Sequence, residues 1–477
     1  MGWFMGKQRH LVQDLKRLIG KEYVSDKIFE RIAYGHDSGG ADLEAEKIPA
    51  AVVKPATSKA VAKVVTYANE NKIPIYIHGA GTAFKGSSRP KRSNSILLST
   101  QAITGFEMHE EDLYFEVGAG MNQLELERTL LKHDFFLPMN VGSKFSATIG
   151  GAVAINTIGH MVDICLGKII DHVMGLKVVL PNGEIIETGT RSIRRPAGID
   201  YTRFFAGTEG LFGIITRVRM RLIPDFKRAN VVGFFSEVSH IARAFMRLYR
   251  EKLPPPLYGE FLDRSGCVAP FRMRGMGEPP GHMALAVTIG YTQDEADRKA
   301  REIVRVFLAL GAIEAHVIAS TEEKEGYWQA RDNILNILQT AEGEEKVYNS
   351  GGIEASVPLS RLDEVLQFIR KGHAYNALHD AHLLMYGHIG TCDVHGIWTT
   401  NASWPPEKRK QVGTEALLLE KEINLKWGCA SGEVGQTAAR IPFLRERYGE
   451  AAYAMLLKVK KAIDPNNILN PGNLEGE

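Results

Sequence analysis

The chain has 477 residues, 44% of them apolar, which is enough to bury two or three separate cores. Its 58 basic and 56 acidic residues leave a formal charge of +2, so there is no electrostatic case for nucleic acid. Cys165, Cys267, Cys392 and Cys429 stand apart with no Cys-x-x-Cys pair, which argues against a disulfide framework or an iron–sulfur site of its own and suits a reducing cytoplasm.

The opening Met1-Gly2-Trp3-Phe4-Met5-Gly6-Lys7 has no charged leader followed by an apolar run, and no later stretch approaches the ~20 apolar residues of a membrane span. A soluble, cytoplasmic protein is expected. Gly6 stands where a myristoylation motif wants serine or threonine. Leu11, Leu15, Leu18 and Ile19 recur at helical spacing, predicting a helical lead-in over residues 1–44. From Ile48 the pattern turns to β-branched runs, Ala50 to Val53 and Ile73 to Ile77, separated by an amphipathic helix from Ser58 to Asn71.

The second run enters His78-Gly79-Ala80-Gly81-Thr82-Ala83-Phe84-Lys85-Gly86-Ser87. Glycine permits unusual φ and close approach, so such a loop lets backbone N–H groups converge on a pyrophosphate. It lacks the third glycine of a Gly-x-Gly-x-x-Gly fingerprint and is not a Walker loop. Strands follow at Leu113 to Val117, Leu176 to Leu180 and Gly213 to Leu222. In the last, Arg217, Arg219 and Arg221 share one face, read as solvated or, alternatively, as a dock for an acidic partner.

Pro224-Asp225 closes this block. Two strand–helix alternations follow, Val231 to Ser236 with Ser239 to Arg250, and Met283 to Tyr291 with Gln293 to Leu310, a pattern expected to make a sheet covered on one face by helices. Near the end lies Gly387-His388-Ile389-Gly390-Thr391-Cys392-Asp393-Val394-His395, and later Ser431-Gly432-Glu433-Val434-Gly435. Two imidazoles and a carboxylate, His388, His395 and Glu433, make a three-ligand metal set with room for a substrate. Seven residues apart, the histidines would face opposite ways on a straight strand, so chelation needs a bend, for which Gly390 is placed; two ordinary histidines are the alternative. Cys392 is read as a small buried thiol rather than a soft ligand.

Over roughly residues 45–477 these motifs resemble, in their order, the FAD-linked oxidases of the vanillyl-alcohol-oxidase superfamily, with its PCMH-type FAD-binding domain, in the D-lactate, glycolate and D-2-hydroxyglutarate dehydrogenase branch. The resemblance rests on the glycine loop, on Pro138-Met139-Asn140-Val141-Gly142 with Ala147-Thr148-Ile149-Gly150-Gly151-Ala152-Val153-Ala154-Ile155-Asn156, and on Gly207-Thr208-Glu209-Gly210-Leu211-Phe212-Gly213-Ile214-Ile215. Tyr327-Trp328-Gln329-Ala330-Arg331, the strand Glu354 to Leu362, and Ala462-Ile463-Asp464-Pro465-Asn466-Asn467-Ile468-Leu469-Asn470-Pro471-Gly472-Asn473 also match. The resemblance implies an α+β fold: a two-subdomain FAD-binding domain over 45–225, an antiparallel-sheet-and-helix substrate (cap) domain over 226–425, and a segment 426–477 returning to the FAD domain.

It further implies non-covalent FAD held by His78, Gly79, Ala80, Gly81, Thr82, Gly86, Ser87, Pro138, Gly142, Thr148, Gly150, Gly151, Asn156, Glu209, Gly213, Ile214 and Ile215. His78 is the one candidate for covalent attachment. Arg331 is expected to hold a substrate carboxylate and to act in catalysis, with a packed Trp328 beside a surface arginine as the alternative. His388, His395 and Glu433 would bind a divalent ion, zinc, manganese or iron(II). The family's histidine after the glutamate is replaced by Val434, so the base must be metal-bound hydroxide or another group such as His373, His379 or His382. The implied activity is oxidation of a D-2-hydroxy acid, with electrons passing to a separate acceptor such as an electron-transferring flavoprotein, an iron–sulfur subunit or a quinone reductase. A flavin-bearing electron-transfer or assembly subunit with an altered substrate site is the rival reading; a flavoenzyme acting on an ether lipid or phenol is a third.

Overall fold

The computed structural model describes residues 2–38, 44–83, 86–159, 166–192, 198–251, 253–332, 334, 347–374, 376–401, 403–428 and 441–474. The chain divides into two compact units, one of residues 1–158, 168–225 and 434–477 and another of residues 159–167 and 226–433. The fold is α+β.

In the first unit, β1 (Val24–Ser25), β2 (Ala51–Val53), β3 (Ile75–His78) and β4 (Ile96–Ser99) form a sheet in the order β1-β2-β4-β3, in which β4 runs parallel to both β2 and β3. The helix Ser58–Glu70 makes the crossover. Thr57 caps it by accepting from Ala60 N, and Val61, Val64, Val65 and Ala68, spaced on one helical face, are fully buried against the sheet. Leu11, Val12 and Leu15 of the helix Gly2–Ile19 join the same core, so the lead-in is part of this unit's packing.

The second sheet combines β5 (Phe106–His109), β6 (Tyr114–Gly118), β8 (Val173–Val179), β9 (Ile185–Glu187) and β10 (Ile214–Arg221) in the order β5-β6-β10-β8-β9, all antiparallel; β7 (Phe135–Phe136) and β11 (Ile223–Pro224) form a small ribbon. Along β10, Val218 and Met220 are buried while the arginines are half-buried. Arg217 pairs with Glu107 and Glu116, Arg219 with Glu116, and Arg221 Nε donates to His172 Nδ1. Arg217 and Arg219 are therefore engaged in cross-strand ion pairs within their own sheet, while Arg221 reaches the helix Ile169–His172.

The carboxy-terminal tail is knitted into this unit by backbone geometry. Asp464 receives Ile468 N and Leu469 N on its two oxygens and pairs with buried Lys460 at 2.6 Å. Ile75 N then donates to Ile468 O and Asn470 N to Ile75 O, so the tail runs beside β3. Asn470 spans Ile77 N and Glu209 O, and Asn473 Nδ2 reaches Ser87 O.

The second unit is built on a seven-stranded antiparallel sheet. It contains β12 (Lys227–Phe235), β13 (Tyr258–Leu262), β14 (His282–Gly290), β15 (Ala312–Val317), β16 (Val347–Ser356), β17 (His382–His388) and β18 (Asp393–Asn401), in the order β15-β12-β14-β13-β17-β18-β16. One face, with Val231, Phe261, Ala284, Met385, Val394 and Trp398, packs on the helices Val238–Arg250, Gln293–Ala309, Leu362–His373 and Pro406–Lys426. The alternation of strands and helices predicts cover on one face only, but the opposite face is covered as well. Val232, Phe234, Leu262, Met283, Leu384, Tyr386 and Ile397 lie under the helices Arg264–Met273 and Thr321–Asp332, which come from the connections flanking β14 and β15.

Candidate active site

In the first unit, the glycine loop leaves β3 and meets the start of the helix Ile149–Ile155. A Cβ on Gly79 would lie 2.7 Å from Thr148 Oγ1, and one on Gly150 would lie 2.5 Å from Ala119 Cβ. Thr148 caps the helix by accepting from Gly151 N, and Asn156 ends it in the left-handed conformation at φ 56°. Gly207 N and Glu209 N then donate to Val153 O and Ala154 O, docking the third glycine segment on the helix end. Gly81 (φ 68°) and Gly86 (φ 83°) occupy conformations that favour glycine. Beside them, a cavity of about 380 Å³ is lined by Tyr34, Asp37, His78, Ala80 and Gly81.

The other expected FAD residues divide by role. Ala80, Thr82 and Gly86 are partly exposed; Ser87 and Pro138 are buried; Gly142 is exposed. Gly213 is pressed against Val178, and the side chains of Ile214 and Ile215 fill the two hydrophobic cores, so this strand has backbone to offer a cofactor. His78 Nδ1 lies 2.8 Å from Gly79 O and the ring also meets the His36 carbonyl; burial lowers its pKa against these bonds. Phe84 and Lys85 lie outside the described residues.

In the second unit, β17 and β18 form the hairpin that brings the two histidines to one sheet face. Their cross-strand register is His388 with Asp393 and Tyr386 with His395. Residues directly opposite share a face, and so do residues two apart, so a seven-residue separation in sequence becomes adjacency. The bend is a 3-10 turn over Ile389–Thr391 followed by Cys392 at φ 57°; the left-handed residue is the cysteine rather than Gly390. The Cys392 side chain packs in the core on the other face, and burial, with Asp393 adding, pushes its thiol up to about 12.

His388, Asp393 and His395 are all buried, and one ligand atom of each lies within 4.8 Å of the others. Asp393 Oδ1 accepts from Ser356 Oγ at 2.8 Å, and its Oδ2 lies 3.4 Å from His395 Nε2. The Tyr386 ring stacks on His395 with centroids 4.7 Å apart. Glu354 is opposite His395 on β16 and is buried. Two imidazoles and a carboxylate on one rigid face fit the donor set of a divalent ion. Glu433 and Val434 lie outside the described residues.

Arg331 reaches this face from the helix Thr321–Asp332. It is 5% exposed, so it is not a surface arginine. Trp328, one turn earlier, donates its indole N–H to Asn230 Oδ1 and packs edge-on to Tyr258, which sets the helix on the sheet. The Arg331 guanidinium lies over the Tyr386 ring at 5.1 Å, and its Nε donates to Glu260 Oε2 at 2.8 Å. Burial pulls its pKa down, but Glu260 foremost holds it above the ordinary value.

Glu260 and Asp393 are the two residues of this cluster that sequence reasoning missed. Asp393 had a signal in the alternation Asp393-Val394-His395. Glu260 had a fainter one, as the lone acid in the apolar strand Tyr258-Gly259-Glu260-Phe261-Leu262. The candidate bases His373, His379 and His382 are not brought in. His373 Nδ1 accepts from Trp398 on the opposite face, His379 pairs with exposed Asp380, and His382 is at the far end of β17, six cross-strand pairs away from His388.

Residues 49–189 match the model of an FAD binding domain, and residues 225–474 match that of the C-terminal domain of FAD linked oxidases. The chain belongs to the FAD-linked oxidases. It is 26% identical to the glycolate oxidase subunit GlcD of Bacillus subtilis, covering 97% of this chain and 96% of that one. It is also 26% identical to a D-lactate dehydrogenase of Archaeoglobus fulgidus, over 89% of this chain and 90% of its relative. Substrate-bound p-cresol methylhydroxylase superposes with a TM-score of 0.78 at 18% identity, covering 98% and 97% of the two chains, which shows the PCMH-type fold. As an FAD-linked oxidoreductase the chain carries flavin as its cofactor. Among the described residues no helix of this oxidoreductase is long and apolar enough to cross a membrane.

Proposed function

We propose that this FAD-linked oxidase is a metal-dependent dehydrogenase that oxidises a D-2-hydroxy acid of the lactate or glycolate kind and passes the electrons to a separate protein acceptor. The observation that carries this reading is the buried set of His388, Asp393 and His395 beside Arg331 on one sheet face. Its relatives are named as glycolate and D-lactate enzymes, which supports the substrate class. Non-covalent flavin is the reading for the first unit, since His78 is buried with its Nδ1 engaged by the Gly79 carbonyl.

In this reading Arg331 binds the substrate carboxylate through its planar guanidinium while Glu260 holds Nε. His388 and His395, with Asp393 and Glu433, hold zinc, manganese or iron(II). When bound, such an ion lowers the pKa of the substrate hydroxyl, so proton loss does not demand a histidine at position 434. FAD supplies the two-electron acceptor. Tyr386, stacked on His395, walls the set and keeps the imidazole plane fixed. An electron-transferring flavoprotein or an iron–sulfur subunit suits the acceptor, because the four cysteines of the sequence form no Cys-x-x-Cys pair to hold an iron–sulfur relay. The rival, an electron-transfer or assembly subunit with an altered substrate site, draws on Val434 and on the relative named as a subunit.

The test is steady-state turnover of a panel of D- and L-2-hydroxy acids with a protein acceptor, an artificial dye or oxygen. Turnover of a D-acid with acceptor or dye and little with oxygen supports the dehydrogenase. Fast turnover on oxygen alone contradicts the acceptor assignment, and no turnover of any acid favours the rival.

A further inference from the structure

We infer that Glu260 is the positioning residue of the metal set, fixing the tautomer of His388 and tying it to Arg331; this rests on the metal reading above. Glu260 sits in the middle of β13 with its side chain fully buried, a place where an isolated carboxylate is strongly disfavoured. It is engaged on both oxygens. Oε2 accepts from Arg331 Nε at 2.8 Å, and Oε1 lies 2.7 Å from His388 Nδ1. The register places Glu260 directly across from His388, which in turn is directly across from Asp393.

The geometry points to the proton's place. Arg331 Nε is an obligatory donor to Oε2, and the other carboxylate oxygen, Oε1, faces His388 Nδ1, so Glu260 serves as acceptor on both oxygens. His388 must then carry its proton on Nδ1, which leaves Nε2 as the nitrogen with a lone pair for a metal. A metal-bound histidine whose other nitrogen donates to a carboxylate is held in both tautomer and ring orientation. A merely structural salt bridge would be satisfied by Arg331 alone. Here the same carboxylate sets the metal-binding imidazole and the guanidinium assigned to the substrate carboxylate.

A glutamine at 260 would face a conflict. Its carbonyl turns to the Arg331 cation, its NH₂ is then presented to His388 Nδ1, and the imidazole is driven to the Nε2–H tautomer, which cannot bind metal through that nitrogen. Removing the cation as well lets the amide turn round and accept from Nδ1 again.

The experiment titrates the chelator-stripped, flavin-loaded full chain with Zn²⁺ against a chromogenic chelator. The proteins compared are the wild type, Glu260→Gln, Glu260→Gln with Arg331→Met, Glu260→Met with Arg331→Met, and His395→Ala as a ligand-loss control. We expect one tight site in the wild type, loss in His395→Ala, and about 10–100-fold weaker binding in Glu260→Gln and in the Met/Met variant. The Gln/Met variant should recover most of the affinity. The two double variants carry no unbalanced charge, so they keep the comparison alive even if Glu260→Gln does not fold. Equal affinity in the two double variants overturns the inference while leaving the metal site in place. A wild type that takes up no stoichiometric Zn²⁺ overturns both the inference and the metal reading beneath it.

Discussion

Asp263 should make the protein less stable as pH rises toward neutrality. The carboxyl caps the helix Arg264–Met273 by accepting from Gly266 N at 2.8 Å, and it is buried. Burial raises its pKa from 3.8 to about 7, outweighing the backbone bonds from Gly266 and Met385 and the charge of Arg370, all of which act to lower it. The unfolded carboxyl releases its proton near 3.8 while the native one keeps it to about 7, so within that window the native state binds more protons and stability falls as pH rises. Each pH unit is worth about 1.4 kcal/mol, so the two units from pH 5 to the native pKa cost about 3 kcal/mol. The stabilising contribution is fully present below the unfolded pKa and lost on passing the folded one. Asp263→Asn keeps an oxygen for the cap and does not titrate. Urea unfolding of both proteins near pH 5 and near pH 8 should show the wild type losing about 3 kcal/mol relative to the variant across that interval. A wild-type-to-variant difference that is the same at both pH values would refute the reasoning.

Gly150→Ala should deplete bound flavin, because the new methyl would lie 2.5 Å from Ala119 Cβ and 2.8 Å from Ala119 O; the flavin-to-protein absorbance ratio of the purified variant checks this. Arg331→Lys keeps the charge but not the planar fork, so kcat/KM for the hydroxy acid should fall about 10–100-fold, the worth of a charge-assisted hydrogen bond. Val434→His should raise the rate of flavin reduction by far less than the ~10²–10⁴-fold of a positioned base; a gain of that size in stopped flow would show that the site lacks a base at 434.

Elements with a local signature were legible in the sequence. The helix Ser58–Glu70 carries its burial pattern in its own residues and its cap in the preceding Thr57, and β10 alternates from Thr216 to Arg221. The glycine loops were visible because positions such as Gly81 demand a conformation that few other residues adopt. The candidate site was legible as far as its histidines, while its assembly was not. His388 and His395 meet through a cross-strand register set by a turn whose left-handed residue is a cysteine, a choice no turn rule would favour. Glu260 lies 128 positions from His388 and 71 from Arg331, and they meet through the strand order of the sheet and the docking of the Trp328 helix. Local spacing carries no information about that order. The ion pairs of the β10 arginines were hidden in the same way, since the acidic partners of Arg217 and Arg219 sit on β5, β6 and β9.

The most direct test of a metal-dependent 2-hydroxy-acid dehydrogenase is anaerobic stopped-flow reduction of the bound flavin by D-lactate, L-lactate and glycolate, before and after removal of metal. Rapid bleaching is expected with D-lactate or glycolate and slow bleaching with L-lactate, with loss of bleaching in the chelated protein and in His395→Ala, and recovery of the chelated wild type on adding Zn²⁺ or Mn²⁺. Bleaching that proceeds equally well in metal-free protein, or flavin that none of these acids reduces with metal present, would contradict that assignment.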